Sequence, residues 1–176
     1  EISYVTGAEV RATALLQGTV GATFLDIPSW NFVQEEAPDQ FHELPLPDIG
    51  ATDEAFVANT DWLADNQEVA QVLLEETLNT WNSIIEDPNF VVSERERLGL
   101  AEDLEPELEE QIVPYYEQAS QEGVFATDCG GEEAARTDFE FYSLVGQVEG
   151  DPASLAVEDF WDLGPLQGAL EAAGSN

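Results

Sequence analysis

Acidic charge constrains this chain more than any other feature of its sequence. Asp and Glu number 38, whereas Lys and Arg together number 4, so the formal net charge at pH 7 is −34. A folded chain with this charge repels itself strongly in dilute buffer, and at about 1 M salt, where the Debye length is about 3 Å, the repulsion is largely screened. The acids are spread along the whole chain rather than grouped in blocks. This pattern predicts a halophilic protein with an acidic surface, and it argues against binding to nucleic acid through phosphates.

The chain nevertheless has the composition of a folded protein. Hydrophobic residues make up 43% of it, including 4 Trp, 4 Tyr and 9 Phe, and they fall in periodic runs, which disordered acidic chains lack. A length of 176 residues suits one domain or two small lobes. No apolar run reaches the roughly 18 residues of a membrane span.

Short apolar runs alternate with helical repeats over the first 60 residues. The pattern of strand, helix, strand, helix and strand is typical of a parallel α/β unit. The sequence therefore predicts an α/β fold, with a sheet-containing lobe over residues 1–60 and a mainly helical part over residues 61–176. The predicted strands cover residues 1–5, 20–27 and 41–46, with a further extended segment over 54–58.

Helix signals set the boundaries of the remaining elements. Gly18 is expected at the C′ position of the first helix, and Pro28 in the first turn of the second. Asn66 is expected to cap a long helix that ends near Glu86. Ser93 and Glu96 form a capping-box pattern before a short helix. The other predicted helices cover residues 105–121, kinked or divided at Pro114, residues 132–145 and residues 165–173.

The usual catalytic constellations are missing from the sequence. The one histidine, His42, stands beside Glu43, and the one cysteine, Cys129, follows Asp128, so no histidine is near the thiol in sequence. There is no G-x-S-x-G turn, no G-x-x-x-x-G-K loop and no zinc or EF-hand ligand spacing. The sequence therefore predicts no catalytic residue, no metal site, no cofactor and no enzyme activity.

The turn over residues 26–30 is the strongest candidate for a binding site. In open α/β sheets, ligands bind beyond the carboxyl ends of strands, where helix N-termini present free N–H groups. Asp26 would close the second strand, Ser29 offers a hydroxyl and Trp30 an aromatic face, while Thr6 follows the first strand. These four residues form a predicted rim for a small ligand. A structural role, with Trp30 in the core and Ser29 as a helix cap, is the alternative.

Three segments resemble solute-binding proteins of ABC transporters for nitrate, taurine, alkanesulfonates and thiamine precursors. The stretch over 14–22, Ala-Leu-Leu-Gln-Gly-Thr-Val-Gly-Ala, is similar to that family's A-L-x-x-G-x-V-D-A, with Gly21 in place of the usual aspartate. Residues 81–88 resemble its W-x-x-I-x-x-N-P helix ending, and residues 160–170 its closing D-F-x-D-x-x-x-L-x-x-A-L segment. The chain opens at Glu1 inside a predicted strand and resembles the carboxy-terminal portion of the family.

The resemblance implies a periplasmic-binding-protein-like fold of type 2, whose amino-terminal lobe is absent from this sequence. It implies binding of a small polar or anionic solute between two lobes, without catalysis. Thr6, Asp26, Ser29 and Trp30 would form the second lobe's ligand rim, and Asn59 would lie near the crossover between lobes. The implied partners are the solute and a membrane permease, and self-association of the fragment would cover exposed surface.

The same resemblance implies a lipid-anchored protein on the outer face of the membrane of a high-salt organism. Two other functions stay open at this point. One is the effector-binding domain of a transcription regulator, which would carry an upstream helix-turn-helix. The other is an enzyme of thiamine-precursor synthesis, which would need a histidine-centred site.

Overall fold

Every regular secondary-structure element in the described part of the chain is a helix. The structure is a computed structural model, and it describes residues 3–44, 52 and 54–173. The helices are α1 (Ala8–Leu16), α2 (Ile27–Glu36), α3 (Thr60–Asp65), α4 (Gln67–Glu86), α5 (Asn89–Leu98), α6 (Pro106–Glu109), α7 (Ile112–Gln121), α8 (Gly131–Leu144) and α9 (Gly164–Ala173), with two short 3₁₀ helices at Pro152–Ser154 and Val157–Asp159.

The predicted α/β fold is wrong for these residues. Residues 3–5, 20–26, 41–44 and 54–58 lie outside regular secondary structure, and no strand is found in the described ranges. The sheet of a periplasmic-binding-protein-like lobe is therefore not formed by them. Residues 1, 2, 45 and 46 of the predicted strands, and the loop over 47–50, lie outside the described residues.

The physical reason is that a strand needs a partner. Its N–H and C=O groups are satisfied by a neighbouring strand, whereas a helix satisfies them within its own segment. Short apolar runs predict burial, but periodicity alone does not say against what. Here Val20, Leu25 and Phe41 pack against the helices of their own unit instead of entering a sheet.

The chain divides into two compact units, Glu1–Leu46 and Pro47–Asn176. In the first unit, α1 packs against α2 around Ala12, Leu15 and Val33. Gly18 ends α1 as predicted, with a left-handed φ of 69°, and the N–H of Thr19 returns to the carbonyl of Ala14 at 3.0 Å. This is the hydrogen bond of a Schellman-type helix end.

The second unit is organised by the pairing of α4 with α9. Leu78 of α4 and Leu166 and Ala169 of α9 form its main core, on which Trp81 packs. Helix α7 also packs against α4, and the ring of Phe125 lies 6.3 Å from that of Trp81. A second core joins α8 to the segment before α9, and it consists of Ala135, Phe139 and Val157, with Leu155, Trp161 and Leu163 packed on it.

Three predicted helix signals act differently in the structure. Pro114 does not break the helix, because the break falls at Glu110–Gln111 and Pro114 lies in the first turn of α7, where proline is tolerated. Ser93 lies inside α5, and its hydroxyl donates to the carbonyl of Phe90 at 2.8 Å rather than capping a new helix. Asn66 precedes α4 without a side-chain cap, and its Nδ2 donates to the carbonyl of Trp62 at 2.7 Å.

Large apolar side chains remain exposed in both units. Tyr4 is 94% exposed in the first unit, and Val57 and Leu144 are 92% and 87% exposed in the second. None of the described helices is both long enough and apolar enough to cross a membrane.

Candidate functional site

Three of the four predicted rim residues of the first unit, Asp26, Ser29 and Trp30, lie at the start of α2. Asp26 is the N-cap, and its Oδ1 accepts from the N–H of Ser29 at 3.0 Å, while its carbonyl accepts from the N–H of Trp30 at 2.9 Å. The side-chain hydrogen bond with Ser29 holds the pKa of Asp26 below its ordinary value, and the charge of Arg11 lowers it a little further. Asp26 and Ser29 therefore satisfy each other as a helix cap.

Trp30 and Thr6 differ in what surrounds them. Trp30 is half-buried and packs against the Ala12–Leu15–Val33 core, whereas Thr6 is exposed just before the start of α1. Ser29 is 7% exposed. Trp30 packs on the core as in its structural alternative, whereas Ser29 is not the helix cap: it lies in the first turn of α2 and donates its N–H to the cap, Asp26. A ligand-binding role for the four residues stays a prediction.

Arg11 has a structural role that could not be predicted from the sequence. Its Nε donates to the carbonyl of Phe24 at 2.8 Å, and its Nη1 donates to the carbonyl of Val5 at 3.4 Å. One guanidinium therefore joins α1 to the segments on both sides of it, including the one that leads into α2.

Asn59 belongs to the second unit and caps α3 there. Its side-chain Oδ1 accepts from the N–H of Trp62 at 3.1 Å, and its carbonyl accepts from the N–H of Leu63 at 2.9 Å. Of the five predicted ligand-binding residues, only Asp26, Ser29 and Trp30 are brought together by these hydrogen bonds.

An open pocket lies in the second unit, beside Trp161. It has a volume of about 480 Å³ and is called the Trp161 pocket. Its wall is built from the first turn of α8, the second 3₁₀ helix, the loop that follows it and the first turn of α9. The lining residues are Glu132, Val157, Glu158, Trp161, Asp162, Leu163, Gly164 and Gln167.

Packing and hydrogen bonds hold the wall of the Trp161 pocket in place. The N–H of Trp161 donates to the carbonyl of Val157 at 2.8 Å. The Trp161 side chain packs on the core formed by Ala135, Phe139 and Val157. Asp162 accepts through Oδ1 from the N–H of Gly164 at 3.0 Å and through Oδ2 from Nε2 of Gln67 at 2.8 Å. The loop is thereby tied to the start of both α9 and α4.

The charge of the Trp161 pocket is negative. Glu132, Glu158 and Asp162 line it, and no lysine, arginine or histidine is among its lining residues. Arg136, one turn along α8 from Glu132, pairs with that carboxylate at 3.3 Å and donates to the carbonyl of Leu155 at 2.6 Å. Its guanidinium is therefore already engaged by the protein.

Metal binding and nucleophilic chemistry find no support in the described residues. No group of three or more His, Cys, Asp or Glu side chains among them is arranged to hold a metal ion. Burial raises the pKa of the Cys129 thiol, and the negative charge of Asp128 raises it further. Cys129 packs on the core formed by Leu78, Leu166 and Ala169. A raised pKa keeps the thiol protonated and unreactive.

The sequence analysis did not predict the Trp161 pocket, although one stretch of the sequence that lines it has an unusual pattern. Residues 158–162 read Glu-Asp-Phe-Trp-Asp, which is an aromatic pair between acids just before a helix that opens with Gly164 and Pro165. Glu132 is remote from this stretch in sequence, and only the packing of α8 brings it to the same wall.

Comparison with known proteins found no relative of this chain: no family model, no curated protein and no solved structure matches it. A function for the chain is therefore argued from its own residues.

Proposed function

We propose that this chain is the binding component of an import system for a small polar solute, and that the solute lies in the Trp161 pocket. The observation that carries the proposal is the pocket itself. Its volume of about 480 Å³ falls in the range of small-molecule sites, which is about 300–1,000 Å³. It combines one aromatic side chain, Trp161, with apolar Val157 and Leu163 and with several polar groups that can orient a ligand.

The wall supports binding because its position is determined before any ligand arrives. Trp161 is fixed through its backbone to Val157, and Asp162 is fixed to Gly164 and Gln67. A pre-ordered wall loses little conformational entropy when a solute binds.

The import role is supported by the order of the sequence motifs, which resemble those of ABC-transporter solute-binding proteins. The binding role does not depend on the sheet of that family, because the pocket consists of helix ends and one loop in a single unit. A membrane permease as partner, a place on the outer face of the membrane and a high-salt environment belong to the same proposal.

A thermal-shift screen in about 2 M KCl tests the binding role. The panel holds small cations, anions, zwitterions and neutral polar solutes, and a solute that binds the native state raises its melting temperature. Gln167→Trp places a large side chain at the pocket and is expected to abolish the shift. Gln121→Trp makes the same change at an exposed position on α7 and is expected to keep it.

The result separates three outcomes. A shift that Gln167→Trp removes and Gln121→Trp preserves supports the proposal. A shift that both variants retain means that the solute binds elsewhere, and the absence of a shift with every solute rejects the binding role.

A further inference from the structure

We draw no further inference here: the strongest candidate, the apolar face of α4 on which Val69, Val72 and Leu73 are exposed next to a shallow groove at Thr77 and Trp81, carries nothing because no feature of the described residues shows what covers it.

Discussion

Gly168 of α9 faces Gln71 of α4 so closely that a methyl group on Gly168 would lie 2.5 Å from Oε1 and 2.6 Å from Cδ of Gln71. These two helices form the main core of the second unit. The absence of a side chain at Gly168 therefore makes room for the amide of Gln71 within the helix pair.

The two residues are expected to be energetically coupled. Gly168→Ala gains about 1 kcal/mol of helix propensity, but in the native background the Gln71 side chain must move away. With Gln71→Ala present, the same change meets no such obstacle and should stabilise by close to the full amount. Urea unfolding of the four proteins in about 2 M KCl measures the coupling, and equal effects of Gly168→Ala in both backgrounds would show that the contact carries no energy.

Arg11 is expected to hold the first unit together. Arg11→Met removes the hydrogen bonds to Phe24 and Val5, and should lower the free energy of unfolding of this unit by about 2 kcal/mol. Faster amide exchange in α1 and α2 would report the loss. Arg97→Met, which removes an exposed pair with Glu94 on α5, is the control and should change the unfolding free energy far less. Equal losses from both variants would contradict a special role for Arg11.

The N-cap of α2 is expected to make stability depend on pH. The pKa of Asp26 is lowered in the folded chain, so its contribution is present above the ordinary carboxyl pKa of about 3.9 and is lost as the pH falls through the lowered folded-state value. Asp26→Asn keeps a capping oxygen but does not titrate. The difference in unfolding free energy between native and Asp26→Asn chains should therefore shrink from pH 5 towards pH 2.

Asp26→Ala removes the cap altogether and should cost about 1 kcal/mol at pH 7. A difference between the native and Asp26→Asn chains that is constant across the acid range would mean that the bond with Ser29 does not depend on the charge of the carboxylate.

Asp138 is a buried carboxylate, 3% exposed, and its Oδ1 accepts from the N–H of Thr52 at 2.6 Å. Asp138→Ala leaves that N–H without its acceptor and should lower the unfolding free energy by about 2 kcal/mol. Asp138→Asn keeps a carbonyl oxygen and should cost less. Amide exchange at Thr52 measures the bond directly: it should be fastest in the alanine variant, and unchanged exchange in that variant would refute the contact.

Salt is expected to stabilise the whole chain. The unfolding free energy should rise from about 0.1 M to about 2 M KCl, because screening reduces the repulsion among the acids. Replacing the exposed acids Glu35, Glu117 and Glu140 by glutamine should flatten this dependence and raise stability at low salt. A melting temperature that does not change with salt would contradict the halophilic interpretation.

Much of the helical structure was predictable because helix signals are local. Helix α4 ends near Glu86 as predicted, just before Pro88, and Pro28 lies in the first turn of α2 as predicted. Asp26, which was expected to close a strand, is instead the N-cap of α2. Where two local signals compete, prediction fails: the 105–121 segment breaks before Pro114, and Ser93 bonds within α5 instead of starting a helix.

The acidic charge, the missing catalytic motifs and the C-terminal ends of α1 and α4 were determined by the sequence alone, since each depends on residues close together in the chain or on simple counts. The tertiary structure decided the rest. Val20, Leu25 and Phe41 were assigned to strands, yet they pack on helices, because a strand exists only when a second segment supplies its hydrogen bonds. The Trp161 pocket likewise requires α8 to carry Glu132 to residues 157–167, and no local pattern in the sequence encodes that approach.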